Sequence, residues 1–193
     1  MNLRDDLQLI YDWIPEGSRV LDLGCGDGEL LAALVAHKNC SGYGIEINTG
    51  SIIAAMARGV NVIQADLERG LEEFGDNSFD VIVLSQTIQA MQNTELILQS
   101  LMRVSKQAIV SFPNFGYWRN RIQIALGGHM PVSERMPYHW YDTPNIHWCT
   151  LKDFDLLCAK NKIRVQERAV MAGSKQVKYL PNLLGSLAFY RVG

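Results

Sequence analysis

Val20-Leu-Asp-Leu-Gly-Cys-Gly-Asp-Gly28 is the stretch on which the fold turns. The apolar run Arg19–Leu23 reads as a short buried strand, and Leu30, Leu31, Leu34 and Val35 follow at helical spacing. Between them lie three glycines in five residues. Gly24 and Gly26 let the backbone turn sharply and approach a ligand, and Gly28 lets helix and strand pack closely. Asp22 stands at the strand end, where a carboxylate can bond an ammonium, while Cys25 between two glycines reads first as a small packing residue.

Outward from this unit, Gly42–Glu46, Val60–Ile63, Phe79–Leu84 and Gln107–Phe112 read as further short strands. Helical stripes at 3–14, 51–58, 67–73 and 94–104 surround them. Strands alternating with helices imply βαβ units and a mostly parallel sheet covered on both faces. Leu151–Ala159 predicts another helix, and Ile163–Met171 with Leu187–Val192 predict two closing antiparallel strands. The expected architecture is a single α/β, Rossmann-like domain over 1–193, with seven strands and an antiparallel edge.

Two further acids extend the glycine loop into a nucleoside site. Glu46, 22 residues beyond Gly24, ends the next strand, where an acid can bond both ribose hydroxyls; Ile47 adjoins it. Asp66 can accept an adenine amine and Leu67 offer a backbone N–H, although Asp66 can also cap the helix after it. A dinucleotide site prefers G-x-G-x-x-G with a pyrophosphate on the helix N-terminus. Here the pattern is G-x-G-x-G, with Asp22 and Asp27 beside it. One wrong-signed charge at ~4 Å costs about 4 kcal/mol at an effective dielectric near 20. S-adenosylmethionine (SAM), a cation, or its product S-adenosylhomocysteine (SAH) therefore fits better than NAD.

Composition narrows the class. The 193 residues are 48% hydrophobic and 20% charged, which excludes disorder. No apolar run reaches the length of a membrane helix, and Met1–Asp6 lacks a signal-peptide layout. Four isolated cysteines read as reduced thiols in a cytoplasmic protein. Residues 1–113 carry 7 Lys/Arg against 15 Asp/Glu, and 114–193 carry 11 against 5. That asymmetry marks either a binding face or scattered solvated charges. His129, His139 and His147 lack the close pairing of zinc ligands, so no metal is expected. No basic stripe with stacking aromatics suggests nucleic acid.

Beyond Pro113 the pattern changes. Residues 112–154 hold nine of the seventeen aromatics, and 114–149 form a long aromatic and Pro-rich insertion after the fifth strand. Phe115–Leu126 predicts a helix with Trp118, Ile122 and Leu126 on one side. Tyr117, Trp118, Arg119 and Arg121 cluster there. These residue types are enriched at interface hot spots, yet Trp118 packed on the sheet beside solvated arginines accounts for them equally.

Asp22–Gly28, Glu46, Ala65-Asp66-Leu67 and Phe79–Ser85 resemble class I SAM-dependent methyltransferases over residues 15–112. Leu84–Ala90, Phe112–Arg121 and Pro137–Cys149 are similar, more narrowly and nearly end to end, to the methionine-biosynthesis MetW family. That resemblance implies a SAM- or SAH-binding accessory protein of homoserine O-acyltransferase (MetX), with Tyr117, Trp118, Arg119 and Arg121 at the partner surface. Asp22, Gly24, Cys25, Gly26 and Gly28 would line the ligand's methionine side, and Ser85 and Gln86 would lie near its sulfur. The alternative is a methyltransferase with a small-molecule acceptor under the 114–149 loop. No acceptor motif is identifiable: the fourth strand runs into Ser85-Gln-Thr-Ile-Gln89, not Asn/Asp-Pro-Pro-Tyr/Phe, and no catalytic residue stands out. Gln86 and Gln89 can equally bond ligand or cap the next helix.

Overall fold

A computed structural model describes residues 3–67 and 71–193. Parallel strands β1 (Arg19–Leu23), β2 (Ser41–Glu46), β3 (Val62–Gln64), β4 (Phe79–Ser85) and β5 (Ser105–Pro113) join antiparallel β6 (Val165–Ala172), β7 (Lys175–Gln176) and β8 (Leu187–Val192) in one sheet. The order is β3-β2-β1-β4-β5-β8-β6-β7. The chain reverses its direction of winding between β1 and β4. The crevice beyond the carboxyl ends of those two strands is where such sheets bind ligands.

Side-chain alternation splits the core into two layers. Val20, Val81, Val83 and Ile109 pack with Leu7, Ile10, Leu31 and Leu34 on the side of α1 (Asp5–Trp13), α2 (Glu29–Lys38) and α3 (Thr49–Ala57). Their neighbours Leu21, Ile82, Leu84 and Val110 pack with Leu98, Leu101, Phe154 and Cys158 on the other side. That layer is covered by α4 (Thr94–Val104) and α6 (Leu151–Lys160). Apolar burial on both faces explains why β4 reads as a continuous hydrophobic run.

The eighth strand is the one departure in architecture. β7 is a two-residue return that pairs Met171 with Gln176 and Ala172 with Lys175 at the sheet edge. Both its residues are exposed, so no apolar signal marks it. β3 starts at Val62 rather than Val60, because the Val60 N–H closes α3 on the Ala55 carbonyl (3.1 Å) and its side chain is buried. The helix expected at 67–73 has its centre, 68–70, outside the described residues.

The helix expected from Phe115 begins only at Trp118, as α5 (Trp118–Gly127). Asn114, 1% exposed, holds the intervening turn. Its Nδ2 donates to the carbonyls of Gly185 (2.8 Å) and Asn182 (3.1 Å), and its Oδ1 accepts the Gly116 N–H (3.0 Å). α7 (Pro181–Leu184) thereby anchors the start of the insertion. Asn114→Ala leaves these groups buried and unmatched, and urea unfolding should show a loss of about 2–3 kcal/mol; an unchanged midpoint would remove this anchor from the account.

Candidate functional site

The glycine loop is set by the end of β2. The Ile45 carbonyl accepts the N–H groups of Gly24 (2.8 Å) and Cys25 (3.2 Å), and Glu46 Oε2 accepts that of Gly26 (3.0 Å). Gly28, at φ 74°, begins α2, and a Cβ there would lie 2.9 Å from the Ala55 Cβ. Gly26 has φ 56°, but a Cβ on it would meet open space. Its open side leaves the backbone approachable by a ligand.

A cavity of about 470 Å³ lies over this loop. Of the residues expected from the sequence, Asp22, Gly24, Cys25, Gly26, Ser85 and Gln86 are in its wall. Gly28 is turned into the α2–α3 packing instead. Asp66 is exposed and faces a separate cavity of about 480 Å³ with Glu72 and Gln92. Leu67 is half-buried against the core, and Ile47 is 65% exposed.

Asp22 is 4% exposed. Burial, and secondarily the nearby charge of Glu46, push its carboxyl up to about 7. Glu46 is occupied: Oε1 accepts the N–H groups of Ile47 (2.8 Å) and Asn48 (2.9 Å), besides the Gly26 bond. A carboxylate has about four acceptor positions. Gripping two ribose hydroxyls therefore requires Glu46 to release at least one backbone N–H. Burial first, then Asp22, raises the Cys25 thiol to about 12, so it stays neutral. The space for its Sγ exists because residue 44 has no Cβ.

Asp27 is less repulsive to an anion than its sequence position implies, because Arg58 pairs with it at 2.8 Å. Four wall residues were not expected at the site from the sequence: Arg4 and Leu7 around the start of α1, and Glu29 and Leu30 in α2. Arg4 sits between Asp6 (3.6 Å) and Glu29 (3.7 Å). Asp6, 7% exposed, accepts the Gln86 Nε2 at 2.8 Å. Gln86 itself stands at φ 52°, held by its N–H on Ser111 (2.9 Å to the carbonyl oxygen, 3.1 Å to Oγ). A non-glycine residue in that region is strained, and such strain concentrates at functional sites.

In the insertion, Trp118 is 38% exposed, and Arg119 lies over its ring (5.4 Å to the centroid). Tyr117 is half-buried and meets Trp118 edge-on. Arg121 is committed internally, its Nε donating to the Gly116 carbonyl at 2.6 Å. Among the described residues, no three His, Cys, Asp or Glu side chains are grouped to hold a metal ion. No described helix is long and apolar enough to cross a membrane.

The family model described as methionine biosynthesis protein MetW matches residues 4–192. The bifunctional methionine biosynthesis protein MetXA/MetW of Rhodopirellula baltica is 37% identical over 177 residues, covering 86% of this chain and 28% of that protein. A ubiquinone biosynthesis O-methyltransferase of Paracidovorax citrulli is 28% identical over 97 residues, 47% of this chain and 40% of the relative. The chain thus spans well under half the length of both relatives. Among solved structures, a SAM-dependent methyltransferase of Thermotoga maritima superposes with a TM-score of 0.69 at 20% identity, covering 97% of this chain and 86% of that one. The magnesium protoporphyrin IX methyltransferase of Synechocystis, solved with bound SAH, gives 0.65 at 14% identity, with 96% and 80% covered. These two establish the fold.

Asp22 titrates higher in the fold than the 3.8 of an ordinary aspartate, so the fold prefers its neutral form. The stability this contributes is fully present below pH ~4 and is lost as pH rises through about 7. Glu46→Gln removes the neighbouring charge and should lower the Asp22 midpoint, read by carboxyl-carbon NMR. An unmoved midpoint would leave burial as the whole cause.

Proposed function

The chain belongs to the MetW family of methionine biosynthesis proteins, and on that premise we propose that it is a SAM- or SAH-binding accessory protein that docks on and supports homoserine O-acyltransferase. The observation that carries the docking half is the outer face of α5. Trp118, Ile122 and Leu126, at i, i+4 and i+8, are 38%, 46% and 84% exposed, and Asn120 is the buried residue of that helix. An apolar stripe turned to solvent fits a partner better than a packing role. The Rhodopirellula relative's name joins MetXA and MetW in one chain. Fusion raises the effective concentration of one part for the other, which favours a pair that works in contact.

The ligand half rests on the glycine-loop cavity. An amino acid head is a zwitterion, and the wall offers groups of both signs: the acids Asp22, Asp27 and Glu29, of which Asp22 is the one proposed for the ammonium, and Arg4 for the carboxylate. Loss of the Asp22 proton sharpens its attraction for a cation. Four free cysteines are consistent with a cytoplasmic location.

Catalysis by the chain is the weaker reading, because Ser85 Oγ, the Gln86 side chain and Gln89 Nε2 at the end of β4 already have hydrogen-bond partners. Ser85 Oγ meets Ser111 Oγ at 3.0 Å, Gln86 bonds Asp6, and Gln89 Nε2 donates to the Gln86 carbonyl at 2.7 Å. Methyl transfer needs a group positioned on an acceptor.

Glu46→Ala should weaken SAH binding by about 1.5–3 kcal/mol in calorimetry, the range for a hydrogen bond to a charged group. SAH affinity should rise from pH 6 to 8 as Asp22 ionises, and Asp22→Asn should flatten that rise. Unchanged affinity in both variants would remove the ligand from this cavity.

For the partner, Trp118→Ala should cost about 2 kcal/mol or more of binding to the acyltransferase, with Leu126→Asp weakening it further. Arg119→Glu should mainly slow association. SAH binding should survive all three. Wild-type chain that neither binds the acyltransferase nor raises its activity overturns this reading, and steady transfer of labelled methyl groups to a small acceptor would establish the enzyme in its place.

A further inference from the structure

A second cavity, of about 350 Å³, opens on the α4 and α6 side of the sheet. Ile88 and Gln89 of the short helical turn Ile88–Ala90, Thr94 and Glu95 of α4, and residues of α6 enclose it, with His147 and Cys149 above. It shares no wall residue with the glycine-loop cavity. Its size is at the lower end of small-molecule sites.

Two residues of its wall each carry a buried polar atom with no hydrogen-bond partner: Gln89 Oε1 and Thr94 Oγ1. Gln89 is 8% exposed. Its amide is oriented by the 2.7 Å bond from Nε2 to the Gln86 carbonyl, so the oxygen is the atom left over. A buried acceptor without a donor is costly, and folded proteins leave few of them unmet. The rest of the inner wall is apolar, from Ile88, Phe154 and Leu157. The Cys149 thiol, raised to about 12 by burial and then by Asp153, adds no charge.

The charged side chains in the wall are acidic. Glu95 and Asp153 are in the wall, and no Lys or Arg is. Lys160, 2.8 Å from Glu95 Oε2, holds that carboxyl below its ordinary range. Asp153 caps α6 through Oδ2, which accepts the Thr150 N–H (2.9 Å) and hydroxyl (2.8 Å). His147 Nε2 lies 3.2 Å from the Gln92 carbonyl, which requires a proton on Nε2. With Glu95 paired to Lys160, an anionic ligand would still meet the Asp153 carboxylate and an amide oxygen.

We propose that this cavity is a second ligand site, for a small molecule with an apolar body and a protonated amine, which donates to Gln89 Oε1 and Thr94 Oγ1 while the apolar part lies against Ile88, Phe154 and Leu157. The proposal is independent of the partner reading and of the ligand in the glycine-loop cavity.

The test titrates the full chain, with and without saturating SAH, using three probes of one shape: cyclohexylamine, cyclohexanol and cyclohexanecarboxylate. Calorimetry gives affinity, and NMR of the Gln89 side-chain amide and the Thr94 backbone amide gives location. The amine should saturate, shift both signals and bind at least about tenfold more tightly than either analogue, a difference of ~1.4 kcal/mol. SAH should leave it bound. Leu157→Trp fills the cavity and should weaken the amine at least about tenfold. Thr94→Val, which keeps the side-chain shape, is the second variant and should weaken it too. Far-UV circular dichroism and the thermal midpoint report that each variant is folded. Absence of saturation by the amine, equal binding of the three probes, displacement by SAH, or indifference to both substitutions would each overturn the proposal.

Discussion

The Ile45 carbonyl takes two backbone hydrogen bonds from the loop after β1, and the rest of the site depends on that grip. Parallel pairing sets Leu23 beside Ile45, so the chain leaves β1 level with the end of β2. Gly24, Cys25 and Gly26 then offer three successive N–H groups, and Ile45 and Glu46 accept all three. The loop is thus built without a ligand. The Glu46 carboxylate is part of the scaffold as well as a candidate contact, which couples ligand binding to loop geometry.

A second set of hydrogen bonds runs from the N-terminal helix across the end of β4. Asp6 holds the Gln86 side chain, Ser111 holds the Gln86 backbone, and the Gln86 carbonyl holds Gln89. The Gln89 carbonyl in turn accepts the N–H groups of Ile146 (2.8 Å) and His147 (3.0 Å). One chain of contacts therefore links the cover of the glycine-loop cavity to the segment over the second cavity. Gln86 is the joint, and its left-handed backbone is kept by partners on three sides.

The later half of the protein divides the work differently. Asn114 and α7 fix where the insertion starts, and Arg121 bonds back to the turn before α5. What these bonds leave outside includes apolar side chains beside Arg119 and Arg121. The outer face of α5, with Trp140 and Tyr141 also exposed, is held in place but not covered. An uncovered apolar face suits association.

The sequence by itself determined the parallel α/β class, the strand–loop–helix unit and most element positions. Periodicity and glycine placement are local, and a strand buried on both faces leaves a plain hydrophobic run such as Val81–Leu84. Thr94–Val104 and Leu187–Val192 were legible to the residue. It also marked Asp22, Gly24 and Gly26 as one wall, to which the family resemblance added the β4 end. Tertiary structure alone decided the rest. Arg4 and Asp6 enter the site because α1 folds over it, and an amphipathic pattern says which face is buried but not which neighbour its polar residues meet. Asp27 loses its bare charge to Arg58, 31 positions away. β7 has no apolar side chain to announce it. The outward turn of Trp118, Ile122 and Leu126 was open in the sequence, because the same stripe serves a core or a partner. Only the position of α5 relative to the sheet separates the two.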